Sequence, residues 1–212
     1  MTDPYELHPL CTLFPRLAGG EFDSLVADIK TNGLAQPIVL HEGMILDGGN
    51  RYRACIEAGI EPKFKEYEGS NLVSFVLSAN LHRRHMSVGQ QAAIVSSAAD
   101  WAKAQSVGRP RKPAILPDSS GQGAALPDSD NPAILPLSTV ADRSAESGAS
   151  DRTQRMADKV AKADPELAMK VGHGEVSLAK AVAKVDGKPT EKTPEQRASE
   201  AEEKENWREA FK

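Results

Sequence analysis

The chain of 212 residues contains few aromatic residues, two cysteines and no excess of positive charge. Aromatic residues make up 5% of the sequence, so its hydrophobic cores must be mainly aliphatic. Cys11 and Cys55 lie far apart, with no C-x-x-C pair and no His/Cys cluster at metal-binding spacing, which indicates a reduced protein without a zinc site. The formal net charge of −4 excludes a general basic field. Binding of a nucleic acid would therefore need locally placed positive charge.

The sequence also has no apolar run of membrane-spanning length, and its first six residues carry no apolar signal segment. We therefore expect a cytoplasmic protein with no membrane partner. Hydrophobic residues make up 40% of the chain, which is enough for compact cores, and the length allows one or two small domains.

Residues 1–85 alternate predicted helices with short strands, as expected of a small α+β domain. Apolar periodicity and turn residues predict its elements in this order: a helix over 21–31, a hairpin of strands 37–40 and 44–46, a helix ending at Gly59, a strand over 62–67 and a helix over 71–79.

The stretch Asp47-Gly48-Gly49-Asn50-Arg51-Tyr52-Arg53-Ala54, here called the arginine box, joins the second hairpin strand to a helix. A strand followed by two glycines and a helix start suits an anion, because glycine lets the backbone approach closely and the helix start presents free N–H groups. Arg51 and Arg53 add two guanidinium groups suited to phosphate contact. The alternative is a strand-to-helix turn with two solvated arginines.

After this domain, His82-Arg83-Arg84-His85 concentrates positive charge. The alternative interpretation of this cluster is an exposed hinge between helices. His82 and His85 have no third ligand nearby, so no metal site is predicted. Ser87 and Gln90 fit a capping box, which predicts that a connecting helix over 86–107 begins there.

Residues 108–137 form a Pro-rich linker in which a short unit recurs, as Ala-Ile-Leu-Pro, Ala-Ala-Leu-Pro and again Ala-Ile-Leu-Pro. Proline removes backbone donors and disfavours helix before it, so the linker is predicted to be an extended or flexible spacer. Residues 188–212 form a charged tail in which Trp207 and Phe211 lie at i, i+4 spacing. Either segment could dock a protein partner.

The most informative stretch of the C-terminal half is a helix-turn-helix pattern. Ser138 is predicted to cap a helix over 139–145, and Ser150 is predicted to cap a second helix after a turn that contains Gly148. Arginine and glutamine at the start of a recognition helix can reach base edges or phosphates. The residues predicted to contact DNA are Ser150, Arg152, Thr153, Gln154, Arg155 and Lys159.

Three residues of this pattern, Arg143, Ser147 and Gln154, fall where such motifs usually place apolar side chains. An ordinary helical hairpin is therefore the alternative. Two further predicted helices complete a helix-turn-helix region over 138–187.

These motifs, in this order, resemble the ParB family of partition proteins and plasmid regulators. In the family's G-E-R-R-Y-R-A box, Gly49 and Asn50 replace the glutamate and one arginine, and the matching residues are Gly48, Arg51, Tyr52, Arg53 and Ala54. Asn80 and Arg83 match the family's E-N-x-x-R motif, in which Ala79 replaces the glutamate. The resemblance extends from residue 7 to residue 186, with the linker as an insertion.

The resemblance implies an α+β ParB/sulfiredoxin-like domain followed by an all-α helix-turn-helix domain. It implies a homodimer, associated with a nucleoid or plasmid, that binds palindromic double-stranded DNA in partition or transcription regulation. It also implies that CTP with Mg²⁺ binds through Gly48, Gly49, Asn50, Arg51, Arg53, Asn80 and Arg83. Because the motifs lack a glutamate and an arginine, the resemblance supports phosphate binding better than CTP hydrolysis, and no catalytic residue is assigned.

Two other classes of function remain as alternatives. An enzyme on the same scaffold, a nuclease or a phosphoryl-transfer enzyme, would use the arginine box together with Asp47. Sulfiredoxin chemistry lacks its nucleophile, because Gly49 stands where the resemblance places the reactive cysteine. An adaptor would instead bind a partner through the linker or through the aromatic pair of the tail.

Overall fold

The computed structural model describes residues 5–81, 86–107 and 137–187. Arg83, the linker repeats and the aromatic pair of the tail lie outside the described residues. The fold is mixed α+β, with a small sheet in the N-terminal part and a helical region after it. Its elements are α1 (Pro9–Thr12), α2 (Gly19–Asn32), β1 (Ile38–His41), β2 (Met44–Asp47), α3 (Gly49–Ala58), β3 (Phe64–Glu66), α4 (Leu72–Asn80), α5 (Val88–Val107), α6 (Val140–Ser147), α7 (Asp151–Ala163), α8 (Pro165–Gly172) and α9 (Leu178–Val185).

The sheet has the strand order β2-β1-β3, with β1 antiparallel to β2 and parallel to β3. Glu42 and Gly43 form the hairpin turn, and their φ angles are both positive, at 50° and 75°. Positive φ at both turn residues is typical of a type I′ turn, whose twist matches that of the flanking strands. The predicted hairpin is therefore confirmed.

Helices α2 and α3 pack against the sheet through a largely aliphatic core. Phe22 and Ile29 of α2 and Ala54 of α3 are buried there, together with the inward-facing residues of β1. The predicted helix over 21–31 corresponds to α2 and is confirmed. Gly59 ends α3 in the left-handed region, with a φ of 69°, as a C-terminal glycine does.

The four-residue helix α1 has no counterpart among the predicted elements. His8 caps it, since its Nδ1 accepts a hydrogen bond of 3.2 Å from the backbone N–H of Leu10, and Pro9 occupies the first helical position. Burial, and then the neighbouring charge of His41, lower the pKa of His8, which keeps Nδ1 available as an acceptor. Local capping rather than apolar periodicity therefore forms this helix.

Helix α5 lies between the two parts of the fold. Ile94 and Val95 are buried against α1 and α4, whereas Ala92 and Ala93 are buried against α7, α8 and α9. Small side chains let several helices approach α5 closely. The stretch expected as a connection is thus also the common core of both parts.

The two helices of the predicted helix-turn-helix are α6 and α7, and residues 148–150 form the turn between them. Gly148 begins the turn with a left-handed φ of 66°. Thr139, not Ser138 as predicted, caps α6. Its hydroxyl accepts from the backbone N–H of Asp142 at 3.1 Å, and the Asp142 carboxylate accepts from the backbone N–H of Thr139 at 3.0 Å. A reciprocal capping box needs an acidic or amide residue three positions after the capping residue. Asp142 lies three positions after Thr139, whereas no such residue lies three positions after Ser138.

The C-terminal end of α8 packs against the N-terminal part of the fold. Gly172 packs so closely that a Cβ there would lie 3.0 Å from Cγ1 of Ile94 and 3.4 Å from the carbonyl oxygen of Leu13. Beside it, Nε2 of His173 is 2.9 Å from the carbonyl oxygen of Thr12. Helix α7 therefore packs within a larger helical region together with α5, α8 and α9.

Candidate nucleic-acid interface and arginine box

The start of α7 is capped as predicted. The Ser150 hydroxyl accepts a hydrogen bond of 3.2 Å from the backbone N–H of Thr153, and the two hydroxyl oxygens are 3.0 Å apart. Asp151, in the first turn, accepts from the Ser144 hydroxyl at 2.7 Å and joins α7 to α6. An acidic first turn and a side-chain cap both stabilise a helix start.

The outer face of α7 carries a row of cations. Arg152, Arg155 and Lys159 are all exposed, and their spacing of three and four residues places them on one side of the helix. Lys159 forms an ion pair with Asp186, just after α9, which partly offsets its charge. The two arginines therefore supply most of the positive charge at the N-terminal half of α7.

Gln154 does not belong to this outer face, contrary to the sequence prediction. Its side chain is fully buried, accepting from the Ser147 hydroxyl at 2.8 Å and donating to the Ser96 hydroxyl at 2.8 Å. Gln154 lies two residues after Arg152, so helical geometry turns it inward when Arg152 points outward. It supports α7 from inside and is removed from the set of DNA-contacting residues.

Asp158 is the centre of a polar network between α5, α6 and α7. Arg143 holds it in a two-pronged ion pair, with Nη2 to Oδ2 at 2.8 Å and Nε to Oδ1 at 3.1 Å. The Ser96 hydroxyl donates to Oδ1 at 2.7 Å, and Gln154 donates to the same oxygen at 3.1 Å. Burial alone would raise the pKa of Asp158, but the hydrogen bonds from Arg143, Ser96 and Gln154 outweigh it and hold that pKa below its ordinary value.

This network explains the polar residues at core positions of the motif. Arg143, Ser147 and Gln154 occupy places where an apolar side chain would be expected, and each finds a partner inside the helical region. Buried polar groups stabilise a structure only when they are hydrogen-bonded, and a satisfied network fixes one arrangement of the helices. Polar contacts therefore join α6 to α7.

We expect acid to weaken this network. The unfolded pKa of an aspartate is about 3.9, and the folded pKa of Asp158 is lower, so its stabilisation is present above about pH 4 and is lost as the pH falls through the folded value. Urea unfolding at a series of pH values measures this loss. The loss should be smaller in Asp158→Asn, which has no carboxylate to protonate. The loss should persist in Asp100→Asn. Burial, and then the charge of Asp158, raise the pKa of Asp100, so protonation of Asp100 does not contribute to the loss of stability in acid.

At the arginine box, the guanidinium of Arg51 is held by internal acceptors. Its Nη2 donates to Oδ2 of Asp47 at 2.8 Å, and its Nη1 donates to the carbonyl oxygens of Gln36 and Pro37 at 3.0 and 3.1 Å. Gly48 has a φ of 99° and lies beneath this guanidinium, since a Cβ there would be 3.0 Å from Nη2. Arg51 is thus part of the strand-to-helix joint and not a solvated side chain.

The other candidates in the box are also engaged. Oδ1 of Asn50 accepts from the backbone N–H of Leu17 at 3.0 Å, and Nη1 of Arg53 donates to the Leu17 carbonyl at 3.3 Å. The Arg53 guanidinium also stacks 4.3 Å from the centre of the Phe22 ring. A Cβ at Gly49 would lie 3.1 Å from Leu7, so this glycine allows close packing. These contacts tie the loop before α2 to the start of α3.

The two sequence motifs of the N-terminal part meet at Asp47. Nδ2 of Asn80 donates to Oδ1 of Asp47 at 3.0 Å, while Arg51 occupies Oδ2. Asn80 also donates to the Val76 carbonyl at 3.1 Å. The fold brings Arg51 and Asn80 to one place, and the carboxylate of Asp47 between them accepts a hydrogen bond from each.

The described side chains expected to bind CTP with Mg²⁺ are engaged in contacts within the protein. The described side chains that would bind phosphate, those of Arg51, Arg53 and Asn80, all donate to acceptors of the protein itself. Asp47 is the nearest carboxylate, and it is paired with Arg51. Across residues 5–81, 86–107 and 137–187, no three His, Cys, Asp or Glu side chains lie together as a metal ion would require.

Sequence reasoning missed Asp47 and Asp158 as organising residues. A signal was present in one case, because Asp47 precedes Arg51 by four residues, a spacing that favours ion pairs. For Asp158 the partners come from distant positions, since Ser96 is 62 residues away. Only the packing of α5 against α7 brings them together.

A scan of the chain against protein-family models found no match, and a search of curated proteins found no similar sequence either. Within the part of the chain that the structure describes, no helix combines the length and the apolar character needed to cross a bilayer.

Proposed function

We propose that this chain is a ParB-like, sequence-specific DNA-binding protein that acts in partition or transcription regulation. The observation that carries the proposal is the helix-turn-helix, in which α7 exposes Arg152 and Arg155 while a buried polar network holds its other face. Rigid support matters because a recognition helix must keep its side chains in register with base edges and phosphates.

In this proposal the first turns of α7 enter the major groove of double-stranded DNA. Arg152 and Arg155 donate to guanine edges or to phosphates, and Thr153 offers a hydroxyl near them. Ser150 keeps the helix start ordered, and the partial positive charge of that start favours a nearby phosphate. Lys159 can add a phosphate contact if it leaves Asp186.

The ParB resemblance further supports a homodimer, located with the nucleoid or a plasmid. Two copies of α7 would then read the two halves of a palindromic site, with centres separated by about 34–36 Å or a multiple of it. An analytical ultracentrifugation measurement of the protein with and without such a site tests the dimer.

Binding of a nucleotide phosphate at the arginine box is the second part of the proposal. It requires Arg51 and Asn80 to release donors that Asp47 now accepts, so we expect such binding to be weak in the unaltered chain. Calorimetric titration with CTP, ATP and GTP, with and without Mg²⁺, measures it.

The test of DNA binding is a fluorescence-anisotropy titration of labelled duplex DNA with the full chain at several salt concentrations. We expect non-specific binding with a Kd of roughly 10⁻⁴–10⁻⁶ M near physiological salt, and weaker binding as salt rises, because each neutralised phosphate releases counterions. If no binding occurred even at low salt, the proposed function would be wrong.

The contacts of Asp47 do not support the enzyme alternative. A nuclease or phosphoryl-transfer enzyme would need Asp47 to hold a metal ion or activate a nucleophile, but both oxygens of this carboxylate accept hydrogen bonds from Arg51 and Asn80. The adaptor alternative depends on the linker and on the tail, which lie outside the described residues.

A further inference from the structure

The carboxylate of Asp47 is placed where an anionic ligand of the arginine box would be expected to bind. Its Oδ2 accepts from Arg51 at 2.8 Å and its Oδ1 accepts from Asn80 at 3.0 Å. The two donors come from different elements, α3 and α4, and they converge on one acidic group at the end of β2. A carboxylate and a phosphate offer the same chemistry to a guanidinium, namely two negatively charged oxygens side by side.

We infer that Asp47 is the affinity-determining residue of the arginine box, an internal counter-anion that a phosphate must displace from Arg51 and Asn80. This inference rests on the proposed phosphate-binding role of the box. It identifies Asp47 as the residue that opposes phosphate binding, because its carboxylate occupies the same donors.

Burial makes this competition effective. The side chains of Arg51 and Asp47 are only 19% and 13% exposed, so water screens their attraction less than it screens a surface pair. A dianionic or more highly charged ligand, such as pyrophosphate or a nucleoside triphosphate, can compete with one carboxylate for the guanidinium. A singly charged ligand gains little by the exchange, so the box should favour multiply charged phosphates.

Displacement of Asp47 by a phosphate would also change the contacts of α4. Asn80 is the last residue of that helix, and the following residue, Leu81, is buried and accepts on its carbonyl oxygen from Nε2 of Gln91 in α5. When Oδ1 of Asp47 leaves Asn80, the end of α4 loses this hydrogen bond to the end of β2. Occupancy of the box would therefore be felt at the junction with α5, the helix that supports α7.

The test is calorimetric titration of pyrophosphate into the full chain, compared with Asp47→Asn. The variant keeps the size of the side chain and removes its charge, so it should bind pyrophosphate roughly tenfold more tightly. The matched control is Glu57→Gln, which removes an exposed carboxylate from α3, the helix that carries Arg51, and should bind as the unaltered chain does. Adding Arg51→Gln to Asp47→Asn should abolish the gain.

The inference is overturned if Asp47→Asn binds pyrophosphate no more tightly than the unaltered chain. If both proteins bind equally well, the proposed phosphate-binding role stands and only this inference fails, whereas both fail if neither protein binds. A second measurement needs no variant and so does not depend on its folding. Saturating pyrophosphate should shift the side-chain amide NMR signal of Asn80, and a signal that stays fixed while pyrophosphate binds would also overturn it. DNA binding is measured separately on the unaltered chain, so failure of the proposed DNA-binding function is distinguishable from failure of this inference.

Discussion

Replacing Asp158 with alanine is expected to lower the free energy of unfolding by about 2–4 kcal/mol. The change leaves the Arg143 guanidinium, which is 15% exposed, without its carboxylate partner, and it removes an acceptor from the Ser96 hydroxyl and from Gln154. This expected loss of stability is somewhat smaller than the loss on breaking a fully buried ion pair, because the Asp158 side chain is 23% exposed. Chemical denaturation followed by circular dichroism measures the loss.

Two variants separate the network from a general charge effect. Asp151→Ala removes an exposed carboxylate from the same helix and should cost less than about 1 kcal/mol. Arg143→Met combined with Asp158→Leu removes both charges and should recover part of the stability that Asp158→Ala loses, because no uncompensated charge remains. If Asp158→Ala and Asp151→Ala had equal effects, the network would not be what holds α6 against α7.

The double variant Arg152→Ala, Arg155→Ala is expected to weaken binding to duplex DNA by about 2–6 kcal/mol, at about 1–3 kcal/mol for each arginine. Both side chains are exposed on the outer face of α7, so the change should leave the unfolding free energy nearly unaltered. Where the arginines contact phosphates, the salt dependence of log K should also become shallower, by about 1 for each lost contact. Anisotropy titrations at several salt concentrations give both quantities.

The control for this variant is Lys180→Ala, Lys184→Ala, which removes the same net charge from exposed positions of α9. It should reduce DNA affinity much less, because it leaves the N-terminal half of α7 intact. Equal losses in the two double variants would mean that DNA responds only to net charge, and α7 would not be the recognition helix.

Local signals made much of the fold predictable. The hairpin follows from Glu42-Gly43 between two apolar runs, α2 follows from its helical apolar spacing, and α7 begins at the serine predicted to cap it. The capping box of Ser87 and Gln90 also forms, with the Ser87 backbone N–H donating to Gln90 Oε1 at 2.9 Å. Each of these signals lies within a few residues of the element it specifies.

What the sequence could not supply were partners from distant elements. Gln154 lies between Arg152 and Arg155 in the sequence, and only the position of α5 shows that its side chain contacts Ser96 instead of the outer face of α7. The arginine box likewise looks like a set of available donors until the fold places Asp47 between Arg51 and Asn80. In both cases the residue type was informative, and the direction of the side chain required tertiary structure.

The most direct test of the central proposal, sequence-specific DNA binding, is selection of duplexes by the full chain from a random-sequence library at physiological salt. We expect an enriched, two-fold symmetric sequence that binds at least about 10³-fold more tightly than unselected DNA, as specific complexes typically do. Repeated rounds that return the starting library without enrichment would contradict the proposal.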